Sequence, residues 1–200
     1  IKISALPTLL ISSLGVVDDA TKLVSLDSKF AKDIVYILGE TYDEMGGSEY
    51  VHKFKVQNSK FKIQKVQPGK NKKLYKTIFQ AIQKELIASS QSVGKGGLIV
   101  ALAKTAMGGM LGMQMPLDHL PGNVSDITHS LYSESQGRIV ITVSPENKKA
   151  FEEIMKGNAC KEIGKVTKNK KFIVESGGKA IIETNIENML EAYRGTFRDF

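Results

Sequence analysis

Short, nearly continuous apolar runs and longer helical stripes take turns along this chain. Runs of about four to eight residues rich in β-branched side chains predict core strands, and the sequence has such runs at Thr8-Leu9-Leu10-Ile11-Ser12, at Ile34–Leu38 before Gly39, and at Arg138–Val143. After Gly46-Gly47, Ser48 is placed to cap a short helix. Leu74, Ile78, Ile82 and Leu86 recur every four residues, which predicts an amphipathic helix from Pro68-Gly69 to about Ser89. The segment Leu98–Ala103 after Gly97 is apolar on nearly every face, so the helix ending near Gly108-Gly109 is expected in the centre of the domain. Met110–Ser130, broken by Gly112, Pro116, Pro121 and Gly122, predicts the longest loop. Ser144-Pro145 opens a helix that Gly157 stops, and short strands are expected at Glu162–Thr167, Phe172–Glu175 and Ala180–Glu183, with a hairpin at Gly177-Gly178. Asn185 caps a last helix through Tyr193. Helices alternating with strands, and a hairpin late in the chain, predict an α+β fold with a mixed sheet.

With 200 residues, 42% of them hydrophobic and 24% charged, the chain has enough apolar surface for a real core and is expected to form one unit over 1–200. No apolar run approaches the roughly 18 residues of a membrane helix, and the start lacks the layout of a signal peptide. The single cysteine, Cys160, excludes an intrachain disulfide framework and fits a cytoplasmic setting. Because the first residue is isoleucine, the chain is expected to be a piece of something longer. The net charge of +7 is very uneven: Val51–Lys84 holds ten lysines and no acidic residue. Phe54, Phe61, Tyr75 and Phe79 are interleaved with those lysines, which raises nucleic-acid binding as a reading. The segment contains no arginine, however, and its apolar spacing has a packing explanation, so a solvated lysine face is expected, with neither a nucleic-acid nor a membrane partner.

Gly94-Lys95-Gly96-Gly97, at the start of the apolar helix, carries two readings. Free N–H groups, the helix dipole and Lys95 would attract a phosphate, or the glycines make a close helix-packing turn. The spacing matches neither a P-loop nor a dinucleotide-binding turn. Ser133-Glu134-Ser135-Gln136 with Arg138 crowds polar side chains ahead of a strand. His52, His119 and His129 lack metal-ligand spacing, Asp126 and His129 have no nucleophile-elbow motif to complete a triad, and Cys160 has no base near it in sequence. Neither a metal ligand nor a catalytic residue is therefore predicted.

Taken together, Leu9–Asp19, LGETYDEMGGSEY at Leu38–Tyr50, GGLIVALAKTAMGG at Gly96–Gly109 and LYSESQGRIVITVSPE at Leu131–Glu146 resemble the carboxy-terminal domain of the phosphoribosylformylglycinamidine synthase family. The likeness continues through Glu162–Val166 to the final helix. It implies a mixed sheet with helices on both faces, within an ATP- and magnesium-dependent ligase made of two related halves. In that family ATP activates the formamide oxygen of formylglycinamide ribonucleotide, and ammonia from a glutamine amidotransferase subunit displaces it to give the amidine. The implied partners are therefore upstream domains of the same enzyme and that amidotransferase. The resemblance also marks Ser133, Glu134, Ser135 and Gln136 as candidates for binding substrate or nucleotide, beside the phosphate reading of Lys95, Gly96 and Gly97 above, while Gly46, Gly47, Ser48 and Glu49 are expected to form a structural loop. A His-Asp-x-Ser pattern that helps bind magnesium in the family is replaced here by Gln91, Ser92, Val93 and Gly94, so no metal is expected on this chain. The alternatives are the matching domain of aminoimidazole ribonucleotide synthetase, selenophosphate synthetase or thiamine-phosphate kinase, against which SESQGR argues, and a nonenzymatic lysine-rich binding module.

Overall fold

The computed structural model describes residues 10–56 and 60–195. The strands are β1 (Ile34–Leu38), β2 (Thr41–Tyr42), β3 (Ser89–Ser92), β4 (Gly112–Pro116), β5 (Gly122–Asn123), β6 (Ile139–Val143), β7 (Cys160–Thr167), β8 (Lys171–Ser176) and β9 (Lys179–Asn185). The helices are α1 (Glu49–Phe54), α2 (Pro68–Gln83), α3 (Gly97–Gly109), α4 (Ile127–Tyr132), α5 (Lys148–Ile154) and α6 (Ile186–Arg194). Seven strands form one sheet in the order β3-β6-β1-β7-β4-β8-β9, antiparallel throughout except for the parallel pair β4 and β8, while β2 and β5 make a small parallel ribbon.

Side chains of β1 alternate between two cores, as a strand's period of two requires. Val35 and Ile37 join Leu98, Leu102 and Ala106 of α3 and Ile186 of α6, whereas Tyr36 and Leu38 join Leu74, Ile78 and Ala81 of α2 and Phe151 of α5. The sheet is therefore covered by helices on both faces, and the fold is the α+β mixed-sheet arrangement that the sequence and the resemblance both predict. The cap residues behave as expected: Ser48 accepts from Val51 N, Asn185 from Asn188 N and Ser144 from Asn147 N.

Three expectations are corrected. Leu10–Ser12 are not in a strand, and Leu10 and Ile11 are exposed; Thr8 and Leu9 lie outside the described residues. Helix α2 ends at Gln83 rather than near Ser89, because Glu85 takes a left-handed conformation (φ 56°) and frees the following residues to pair as β3 with β6. Met110–Ser130 is not a long loop but contains β4, β5 and α4. Strand β4 escapes sequence reading because Gly-Met-Gln-Met-Pro lacks β-branched residues. It nonetheless lies between β7 and β8 with Met113 and Met115 fully buried. A Cβ at Gly112 would sit 2.4 Å from the Lys171 carbonyl oxygen, so that crossing admits only glycine.

Candidate functional site

Three of the motif segments quoted above, LGETYDEMGGSEY, the start of GGLIVALAKTAMGG and SESQGR, come together at one end of the sheet and a buried arginine joins them, whereas Leu10–Asp19 is exposed and takes no part. Arg138, 1% exposed, is delivered by the residue just before β6. Its Nε donates to the Ser135 carbonyl at 3.0 Å, one terminal nitrogen to Thr41 Oγ1 at 3.1 Å and the other to the Ser133 carbonyl. Removal from water lowers its guanidinium to about 10, and the Glu44 and Glu134 charges oppose that fall. The group stays charged at neutral pH. Thr41 belongs to LGET, so the arginine ties that turn to the SESQGR segment. Ser135 adds a second tie, accepting from Tyr42 N at 3.1 Å.

Glu134 connects the other two motifs. Its Oε1 accepts the backbone N–H of Glu49, the first residue of α1, and of Gly96, just ahead of α3, each at 2.8 Å. One carboxylate thus occupies the anion-attracting start of α3. Lys95 points its ammonium at Glu49 Oε1, 3.0 Å away, and Gly97 N donates to Gly94 O. Gly46 N donates to the Lys62 carbonyl at 2.8 Å, while Ser48 is fully buried at its cap. Replacing Glu134 with alanine is expected to cost about 2–3 kcal/mol, the scale of charge-assisted bonds lost to two backbone donors. Phosphate added to that variant should raise its melting temperature, while the parent should hardly respond. An equal response in the parent, read by differential scanning fluorimetry, would contradict this assignment.

Only Gln136 of the four motif residues faces open space. It lines both a polar cleft of about 230 Å³ and a broader groove of about 790 Å³. In the cleft, Lys70 and the Tyr42 hydroxyl both donate to Glu40 Oε2, at 2.6 and 2.5 Å, and Gln67 donates to the Tyr42 hydroxyl at 3.2 Å. The Lys70 ammonium and then the Tyr42 hydroxyl hold the Glu40 carboxyl below the usual range. Elsewhere, Ser125 Oγ and Asp126 Oδ2 both lie on His129 Nδ1, at 3.3 and 3.0 Å. A hydrolytic triad needs its serine and its acid on opposite ring nitrogens, so this cluster is a helix cap and not a nucleophile. Burial pushes the Cys160 thiol up to about 12, which leaves it protonated and unreactive at neutral pH.

A profile described as AIR synthase related protein, C-terminal domain, matches residues 31–177. The chain belongs to this family. A phosphoribosylformylglycinamidine synthase subunit PurL from Caldanaerobacter subterraneus is 34% identical over 199 residues, covering 96% of this chain and 26% of its own length. The same subunit from Alkaliphilus metalliredigens is 31% identical over 194 residues, with the same coverage. The chain therefore spans about a quarter of the length of these curated relatives. Among solved structures, T. maritima PurL complexed with FGAR superposes with a TM-score of 0.76 at 21% identity, over 85% of this chain and 30% of that one. Hydrogenase maturation protein HypE reaches 0.58 at 15% identity, over 82% of this chain and 55% of that one. At such identities these likenesses concern the fold.

Within the AIR synthase related fold, the proposed site residues divide by burial. Ser133, Glu134 and Ser135 are buried; the Glu134 and Ser135 side chains accept backbone N–H groups, while the Ser133 carbonyl accepts from Arg138 and its hydroxyl has no partner among the described residues. Lys95 is exposed and paired, and Gln136 is left at the cleft. Glu40 and Tyr42 of the LGETYDEMGGSEY motif, neither of them a predicted site residue, and Gln67 and Lys70 outside it supply the cleft's polar wall. No local pattern could have shown this, since Glu40 and Lys70 stand thirty residues apart. The magnesium implied by the resemblance does not suit the residues present. Gln91 and Ser92 offer no carboxylate, Gln91 Nε2 donates to Ser92 O at 2.7 Å, and no group of three or more metal-ligating side chains occurs among the described residues. The triphosphate has no better place at α3, where Glu134 already holds the Gly96 N–H.

Proposed function

We propose that this chain is a structural domain of an ATP-dependent ligase that converts formylglycinamide ribonucleotide to its amidine in purine biosynthesis, with ammonia supplied by a glutamine amidotransferase subunit. The observation carrying this reading is the 34% identity to a curated PurL subunit across 96% of the chain. A PurLQS assembly from T. maritima is among the similar structures, which suits a partner subunit. ATP and magnesium are then held by parts of the enzyme outside this chain, a reading supported by the poor fit at Gln91, Ser92 and Gly96. The cytoplasmic setting belongs to the same reading.

In this role the buried motif residues preserve shape. Arg138 and Glu134 lock LGET, GGSE and GKGG into one corner, and that corner presents Gln136 and the Glu40–Lys70 cleft to whatever domain stands opposite. Any ligand of this half would meet Gln136 rather than Ser133, Glu134 or Ser135. The test is turnover. The complete polypeptide carrying this chain, with its amidotransferase, should form amidine with ATP consumption from formylglycinamide ribonucleotide and glutamine. The isolated 200-residue chain should form none, even with ammonium supplied. Absence of turnover in the complete, folded assembly, or turnover by the isolated chain, would refute the proposal.

A further inference from the structure

Helix α2 has two faces, and only the inward one is explained by the fold. Leu74, Ile78 and Ala81 are buried against the sheet, while Tyr75 and Phe79, 45% and 61% exposed, stand one turn apart on the outward side. They line the 790 Å³ groove together with Val66, Pro68, Gln136 and Gly137. Lys72 and Lys76, one turn apart on the same side, line it as well. Their neighbours on α2 have partners, Lys70 in Glu40 and Lys73 in the Gly157 carbonyl, whereas Lys72 and Lys76 form no ion pair among the described residues. An open apolar concavity lined also by unpaired cations, in a segment with ten lysines and no acidic residue, is more than a solvated charge run.

We infer that this groove is a docking site for an acidic amphipathic helix of a partner protein chain, whose apolar anchors cover Tyr75 and Phe79 while its carboxylates meet Lys72 and Lys76. Charge complementarity selects the occupant. A neutral or basic helix would leave the lysines unpaired against it, while an acidic one is steered in by the field of the whole Val51–Lys84 segment. Helices that lie in grooves place their anchors at i, i+3 or i+4, and i+7, which matches the one-turn spacing of Tyr75 and Phe79. A single-stranded nucleic acid would also be drawn to lysines and aromatic rings. The groove favours protein because the segment has no arginine to fork onto phosphate and because Val66 and Pro68 add aliphatic surface that suits apolar side chains. This inference does not need the ligase reading, but under that reading it requires the domain opposite Gln136 to leave Tyr75 and Phe79 open.

The test uses a fluorescein-labelled probe peptide of about 18 residues, roughly five helical turns, with Leu and Phe at i, i+3, i+4 and i+7 and Glu elsewhere. Its binding to the complete polypeptide carrying this chain is followed by fluorescence anisotropy, alongside the same peptide with Lys for Glu and a short single-stranded oligonucleotide. The acidic peptide should bind best and weaken as salt rises. Phe79→Ser and the double change Lys72→Glu with Lys76→Glu should each reduce its affinity about tenfold or more, the scale of an anchor or a charge pair. Both changes lie on the exposed face, and unchanged melting curves would show that the variants remain folded. Equal binding by the variants, or by the basic peptide, would overturn the inference. Tighter binding of the oligonucleotide would assign the groove to nucleic acid, and protection of the helix face by other parts of the complete polypeptide would remove the site.

Discussion

Replacing Arg138 with methionine is expected to destabilise the protein by about 3–5 kcal/mol, the range found when one member of a buried charged network is removed. The methionine fills much of the volume but donates nothing. The Ser133 and Ser135 carbonyls and Thr41 Oγ1 then lose their partner in a buried place, and Glu44 and Glu134 lose a buried positive charge that acts on them. Glu44 already has one buried oxygen without a hydrogen-bond partner, so the remaining positive charge matters more. Arg138→Lys should recover only part of the loss, because an ammonium cannot reproduce three bonds made by a planar fork. Urea unfolding followed by circular dichroism reads the effect as a lower midpoint at unchanged slope. A loss under about 1 kcal/mol for the methionine variant would mean that the corner is held by something else.

Gly97→Ala should cost about 4 kcal/mol, combining strain from a positive φ with overpacking against rigid neighbours. Gly97 has φ 74°, and a Cβ there would lie 2.6 Å from the Leu131 carbonyl oxygen and 2.7 Å from Tyr132 Cα. Both are backbone atoms of α4 and cannot swing aside as a flexible side chain would. Helix α4 would have to move off α3, and with it the Ser133–Arg138 segment that follows. Gly94→Ala serves as the control, since a Cβ there meets nothing within 4 Å, and it should change stability by less than about 0.5 kcal/mol. Comparable losses in the two variants would show that the close approach of α3 and α4 is not what requires glycine.

These two positions show how far the candidate site could be read in advance. The turn at Gly94–Gly97 has two sequence readings, a phosphate site and a tight helix contact. The structure supplies the contact at Gly97 and places a carboxylate where the phosphate would sit. That carboxylate is Glu134, 38 residues further along, and no local pattern announces the pairing. SESQGR was conspicuous as polar residues crowded before a strand, but its crowding reflects bonds to its own fold more than an open binding surface. The lysine segment shows the same division. The fourfold spacing of Leu74 and Ile78 identifies the buried face, yet Ala81 shares that face and Leu86 reaches the same core from beyond the helix end.

By itself, the sequence determined the elements whose signals are local: the β-branched strands β1 and β6, the capped starts of α1 and α6, the glycine hairpin between β8 and β9, and the apolar helix α3. Their residues bias the nearby backbone or bury a face whatever else the chain does. Tertiary structure decided the rest. Strand β4 exists because β7 and β8 offer hydrogen bonds to a methionine-rich segment with little strand preference of its own, and Leu10–Ser12 is no strand because no neighbour pairs with it among the described residues. The end of α2, the Glu134 bridge, the Arg138 corner and the groove beside Tyr75 and Phe79 all depend on residues distant in sequence brought within a few ångströms. Hydrogen bonds and packing act across space, whereas a sequence pattern records only what neighbours along the chain prefer.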